Sequence, residues 1–250
     1  MAVALWMYPW RFSSGGPLGM TQKDEAVLHC FYDGVGAQAT LSPKRFPRIH
    51  PIVLAAGASS RMGEPKEFLE FQGLTCLEVV LRACAGAGLA PPIVVTRTDR
   101  SARLLALLAA RNQPAVQVAV NPTPELGQTS SLREGLVLLP RSAEAFLIYP
   151  VDHPLVTATD VARLCTVFRK RNGPVTVVAP SFARRRGHPV VVDARVAPAL
   201  LALGPHGSAR EVMAAEAAAT RFVELDDDRA LTDMDTPDAY AACVRRYHRA

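Results

Sequence analysis

The stretch "VLAAGASSRMGEPK", residues 53–66, leaves an apolar run, passes through a string of small side chains and closes on two cations, Arg61 and Lys66. The run that feeds it, "PIVLAA" (51–56), is apolar and β-branched and reads as a buried strand. Downstream, "TCLEVVLRACAGAG" (75–88) reads as a helix with Thr75 as its cap and glycines at its end. Between strand and helix, Leu54, Ala55, Ala56 and Gly57 lead into a loop whose backbone N–H groups can approach a polyphosphate closely. Arg61 and Lys66 would add charge-assisted hydrogen bonds to phosphate oxygens. Lysine is scarce in this chain, four residues against 24 arginines, so a lysine at this place is unlike the background composition. Solvated loop charges are the plainer alternative. The spacing is that of neither a P-loop nor a G-x-G-x-x-G turn, because five residues separate Gly57 from Gly63 and no Ser or Thr follows Lys66.

Working outward, the same alternation repeats. Strand-like runs "PIVVT" (92–96), "VQVAV" (116–120), "AFLIYPVD" (145–152), "VTVVAP" (175–180) and "GHPVVVDA" (187–194) are separated by helical patterns at 99–112, 130–140 and 157–173. A helical insert at 208–219, a strand "RFVEL" (221–225) and a helix from Thr236 complete the chain. Nearly continuous apolar strands alternating with helices predict an α/β, doubly wound, Rossmann-like fold around a mostly parallel sheet covered on both faces. In such sheets ligands bind beyond the carboxyl ends of the strands. Residues 50–250 are expected to form this domain. Residues 1–49 carry Gly, Pro and Ser clusters without sustained periodicity and read as a flexible extension, or as an over-called start with Met20 as the alternative beginning.

Charge and composition narrow the partners. A net charge of +5 would suit nucleic acid, but the basic residues are scattered without interleaved aromatics, so an anionic small molecule fits as well and no nucleic-acid partner is expected. No apolar run approaches the ~18 residues of a membrane span. Five cysteines at wide spacings, with no C-x-x-C, read as reduced and mostly buried thiols of a cytoplasmic protein. Asp152 follows its strand directly, where a carboxylate would meet Mg²⁺ carried by a triphosphate. Ser130 and Ser131 sit near the start of a helix, where hydroxyls and free N–H groups either cap it or meet an anion.

"LAAGASSRMGEPK" followed by "EFLEFQGLTCLE" resembles the opening signature of the nucleotidyltransferases related to the molybdenum cofactor cytidylyltransferases, the MobA-like NTP transferase group. More distantly it is similar to methylerythritol-phosphate cytidylyltransferases and sugar-phosphate nucleotidylyltransferases. The resemblance continues in order through "NPTPELGQTSSLREGL", "YPVDHP", "RRGHPVVV" and "TDMDTPDAY", covering roughly residues 51–240. It implies a nucleotidyltransferase fold, a nucleoside triphosphate held by Leu54, Ala55, Ala56, Gly57, Arg61, Gly63, Lys66, Asn121, Ser130 and Ser131, and catalysis by Arg61, Lys66 and Asp152. It implies Mg²⁺ on Asp152 and Asp235, with Asp233 as the alternative second ligand if strand alternation puts both on one face. Helix capping is the competing reading of Asp235, since "DTPDAY" offers either Asp235 or Thr236 as a cap.

On the acceptor side, Arg186, Gly187 and His188, next to Arg184 and Arg185, resemble the family's acceptor-facing motif, and residues 207–210 resemble a further loop more loosely. His153 stands where the family commonly has Gln. A base role for it is not expected, because a phosphate monoester, with a second pKa of about 6, is already largely dianionic near neutrality. Leu-Ala-Ala-Gly at 54–57, where related guanylyltransferases usually show Leu-Ala-Gly-Gly, favours CTP as donor. The resemblance favours molybdopterin or a related pterin as acceptor and a molybdoenzyme as maturation partner. A sugar-phosphate acceptor, or a non-catalytic nucleotide sensor on the same fold, is the alternative.

Overall fold

The apolar run read as the first strand forms β1 (Ile49–Leu54), starting two residues before the quoted segment. The computed structural model describes residues 46, 48–111 and 115–248, so the expectation of a flexible extension over the first 45 residues lies outside the described residues, as does Cys30. Phe46 and Ile49, expected to precede the domain, instead pack into its core. The Phe46 N–H reaches the Gly88 carbonyl at 2.6 Å.

After β1 come a short hairpin, β2 (Glu70–Phe71) with β3 (Leu74–Thr75), and helix α1 (Cys76–Gly86). The strands and helices then alternate as β4 (Ile93–Arg97), α2 (Ser101–Ala110), β5 (Gln117–Asn121), α3 (Gln128–Val137), β6 (Ala145–Pro150) and α4 (Ala158–Arg169). The remainder is β7 (Val177–Phe182), β8 (Arg185–Arg186), β9 (Val190–Asp193), α5 (Ala197–Leu201), α6 (Ala209–Ala215), β10 (Thr220–Glu224) and α7 (Pro237–Tyr247). Local chemistry sets several boundaries. Thr75 and Thr157 each open their helix with a reciprocal capping box, to Glu78 and Asp160 respectively. Gly88, at φ +74°, turns the chain out of α1.

The main sheet runs β10-β7-β9-β6-β1-β4-β5, with β8 paired to β7. It is mostly parallel, as the continuous apolar strands predicted, with one reversal: β9 lies antiparallel between β6 and β7. Alternation along each strand feeds two cores. Ile49, Val53, Leu147 and Tyr149 face α1, α2, α4 and α7, whereas Ile52, Leu54, Phe146 and Ile148 face α3 and α5. Cys76, Cys84, Cys165 and Cys243 are all buried free thiols. Each fully buried aliphatic side chain contributes about 1.5–3 kcal/mol relative to exposure. Among the described residues no helix is long and apolar enough to cross a membrane.

Helix α3 lies close against the sheet because Gly135 has no side chain: a Cβ there would stand 2.4 Å from Ile52 Cγ2 and 3.1 Å from Val95 Cγ2. Gly135→Ala gains about 1 kcal/mol in helix propensity but overpacks a β-branched contact that cannot swing aside, a cost of about 3 kcal/mol. A net loss of about 2 kcal/mol is expected, read as a lower midpoint in urea with an unchanged slope.

Candidate active site

The carboxyl ends of β1 and β6 and the loop after β5 border a cavity of about 470 Å³, walled by the loop after β1, residues around the start of α3, and Lys66, Asp152 and Asp235. The loop is fixed at both ends. Ala55 N–H donates to the Val95 carbonyl at 2.8 Å, and Ser59, in the left-handed region at φ +53°, accepts from the Lys66 N–H through its hydroxyl at 3.1 Å. From Ala56 to Arg61, the backbone N–H groups have no acceptor among the described residues. Such a run of unpaired donors is suited to an anion. Gly57 lines the cavity, and a Cβ there would meet nothing within 4 Å. Gly63, at φ +72°, serves the turn instead and faces an adjoining cavity lined also by Phe68 and Arg103.

Lys66 is the electrostatic centre. Its Nζ donates to Asp152 Oδ2 at 2.8 Å and also to Asp235, and Arg61 reaches Asp235 Oδ2 at 2.6 Å. Burial disfavours the Lys66 ammonium, but the two carboxylates outweigh it and hold its pKa above the ordinary lysine value. The hydrogen bond from Lys66 in turn holds the Asp235 carboxyl below the usual carboxylate range. Asp235 is free to face the cavity because Thr236 caps α7, its hydroxyl accepting from the Ala239 N–H at 3.2 Å. The segment 232–235 is irregular, so the alternation that would have put Asp233 and Asp235 on one face does not operate. Asp233 is exposed and does not line the cavity.

Asn121, Ser130 and Ser131 do come together, but largely with one another. The fully buried Asn121 amide donates to both hydroxyls, at 2.8 and 2.9 Å, and its oxygen accepts from the Thr123 N–H. Helix α3 starts at Gln128 after Gly127, so neither serine is its cap, and Ser130 instead donates back to the Gly127 carbonyl at 2.7 Å. Of the three, only Ser131 reaches the cavity wall, beside the first turn of α3.

The candidate acceptor residues arrive by a different route. Because β9 is reversed, the loop before it, and not after it, reaches the rim where β6 ends: Val190 pairs with Ile148. Gly187 is required there, since a Cβ would stand 2.3 Å from the Ala230 carbonyl oxygen. The His188 ring lies 5.3 Å from that of His153, centroid to centroid, next to Asp152. Burial lowers the pKa of both imidazoles, His188 to about 4, so both are neutral near pH 7. Arg184, Arg185 and Arg186 are exposed on the β7–β8 hairpin and its turn, outside the cavity wall.

Two further residues had no motif to reveal them. The Arg100 guanidinium donates to the carbonyls of Gly57 and Ala58, at 2.9 and 3.1 Å, and to buried Glu67 at 3.2 Å. The only sequence signal was a carboxylate directly after Lys66 in a segment with an apolar pattern.

Residues 51–221 match the MobA-like NTP transferase domain. The chain is 29% identical to the phosphoenolpyruvate guanylyltransferase of Rubrobacter xylanophilus over 194 residues, 76% of this chain and 89% of that protein. It is 27% identical to the nicotine blue oxidoreductase of Paenarthrobacter nicotinovorans, over 76% of this chain and 93% of that one. Among solved structures, a homologue of Mycobacterium tuberculosis Rv0371c from Mycobacterium sp. strain JC1 superposes with a TM-score of 0.67 at 26% identity, covering 82% of this chain and 98% of that one. Rv0371c in complex with manganese has the same fold, at a TM-score of 0.63 and 24% identity over 79% of this chain and 98% of that one.

Proposed function

We propose a nucleotidyl transfer for this chain, which belongs to the MobA-like NTP transferase family: a phosphorylated acceptor attacks the α-phosphorus of a nucleoside triphosphate and releases pyrophosphate. The observation that carries this reading is the convergence of Lys66, Arg61, Asp152 and Asp235 on the cavity that the loop with its unpaired N–H groups also walls. Two cations and a row of donors suit a triphosphate, while two carboxylates suit the cation that accompanies it.

The residues fit a hard divalent cation such as Mg²⁺. Oxygens of Asp152 and Asp235 already gather around a single positive atom, Lys66 Nζ, and Mg²⁺ uses only one or two carboxylates when phosphate and water complete its shell. Bound there, the cation would neutralise phosphate charge as the transition state forms. The loop N–H groups from Ala56 to Arg61 orient the triphosphate. Lys66 and Arg61 hold the leaving pyrophosphate and stabilise the charge that builds on it as the bond from the α-phosphorus to the bridging oxygen breaks. The acceptor oxygen forms the new bond from the opposite side without a general base, because a phosphate monoester is already ionised. Burial lowers the pKa of His153 and so makes its imidazole a weaker proton acceptor.

CTP is the favoured donor, on the exit of β1 through Leu54, Ala55, Ala56 and Gly57, and a pterin phosphate of the molybdopterin type is the favoured acceptor. The test is pyrophosphate release screened over four nucleoside triphosphates against a panel of phosphorylated pterins and sugars. Release that depends on one acceptor supports transfer; triphosphate binding with no release from any pair would favour a nucleotide sensor.

Arg185 and Arg186, beyond the cavity wall beside Gly187 and His188, are assigned to the acceptor's phosphate. Replacing both by Ala is expected to raise the acceptor KM about tenfold or more while leaving triphosphate affinity unchanged. An equal loss in both would put these arginines at the nucleotide.

A further inference from the structure

The peptide groups at Gly57 and Ala58 are held from outside the cavity. Both carbonyls point to the Arg100 guanidinium, whose side chain is 12% exposed, and the same fork is paired with Glu67, 1% exposed. In a trans peptide the C=O and the following N–H point in opposite directions. Directing the carbonyls of Gly57 and Ala58 outward to Arg100 therefore turns the N–H groups of Ala58 and Ser59 the other way, on residues that wall the cavity. Glu67 adds a second link, since it is covalently next to Lys66, whose Nζ sits between the carboxylates. Burial raises the Glu67 pKa, and the Arg100 charge opposes that shift.

We propose that Arg100, locked by Glu67, is a positioning residue that presets the loop donors for a triphosphate, without itself touching substrate. The proposal rests on the reading of this loop as the triphosphate site. A guanidinium is suited to the task because its planar fork can serve two carbonyls and a carboxylate at once. An ammonium at this position keeps a positive partner for Glu67 but cannot hold all three acceptors in one plane.

Arg100→Lys separates positioning from simple stability, and Arg103→Ala is the control. Arg103 lies three residues further on, in the first turn of α2, but it stacks over Phe68 at 4.0 Å and pairs at 3.5 Å with exposed Glu64, leaving the loop carbonyls alone. Affinity is read with a fluorescent nucleoside triphosphate, and KM for triphosphate and acceptor separately. The expected result is that Arg100→Lys keeps the wild-type melting temperature, binds the triphosphate about tenfold more weakly and leaves the acceptor KM unchanged, with Arg103→Ala like wild type. Unchanged triphosphate affinity in Arg100→Lys would overturn the proposal. So would a matching loss in Arg103→Ala, or an equal rise in the acceptor KM. A wild type that binds triphosphate but transfers nothing would sink nucleotidyl transfer while the binding comparison still decides the role of Arg100. A wild type that binds no triphosphate would overturn both.

Discussion

Asp152→Asn is expected to fold as the wild type does and to lose about 10²- to 10³-fold of its divalent-dependent turnover, the scale seen when one preorganised electrostatic contact to a transition state is removed. An amide preserves the size of the side chain but is a weaker ligand for a hard cation and leaves phosphate charge uncompensated. The fold should survive because Asp152 lies at the rim, after β6 ends, and Lys66 keeps Asp235 as its second partner. Circular dichroism checks the first half and pyrophosphate release against Mg²⁺ concentration the second. Turnover equal to wild type would remove Asp152 from the proposed cation site.

Lys66→Ala is expected to cost about 2–4 kcal/mol of transition-state stabilisation, seen mainly in kcat because the lost contact is to the leaving group. Lys66→Arg should rescue little, since a planar fork does not fit where a compact ammonium meets two carboxylates. A second readout moves the opposite way. With the ammonium gone, Asp152 loses its cationic partner and Asp235 keeps only Arg61, so Mn²⁺ alone should bind more tightly to Lys66→Ala than to wild type. In the metal-free protein the pairing also gives a pH signature. Asp235 titrates below its ordinary range when folded, so the stabilisation it contributes is present above the unfolded carboxylate pKa. It is lost as pH falls through the lowered value. The stability gap between wild type and Lys66→Ala should therefore narrow on acidification. Wild-type activity in both variants would make Lys66 a bystander.

Much of this architecture could be read in advance because its determinants are local. The Thr75 and Thr157 capping boxes lie within four residues of sequence, and the apolar runs of β1, β4 and β6 announce burial on both faces. The features that escaped depend on distance or direction. Arg100 and Glu67 are 33 residues apart and share no spacing rule, so only folding brings them together. "VVV" in β9 looks the same whichever way the strand runs, and its reversal is set by pairing with β6 and β7. Ser130 and Ser131 looked like caps because the helix was expected to start with them, yet Gln128 opens it and Asn121 takes their hydroxyls. Asp235 had two readings, capping and metal binding; Thr236, one residue away, takes the capping bond and leaves the Asp235 carboxylate at the cavity wall.

The reversed β9 also has an architectural consequence. It divides the sheet into a block of four co-directional strands, β6-β1-β4-β5, and a flanking pair, β7 and β10, joined only through a strand that runs the other way. Asp152 and the loop after β1 belong to the first block, and the β7–β8 hairpin belongs to the second. Lengthening or recasting that hairpin leaves the ladder between β1, β4 and β6 in register. The fold thus behaves as a chassis with a replaceable front end, in which one half of the rim can diversify while the other keeps its geometry.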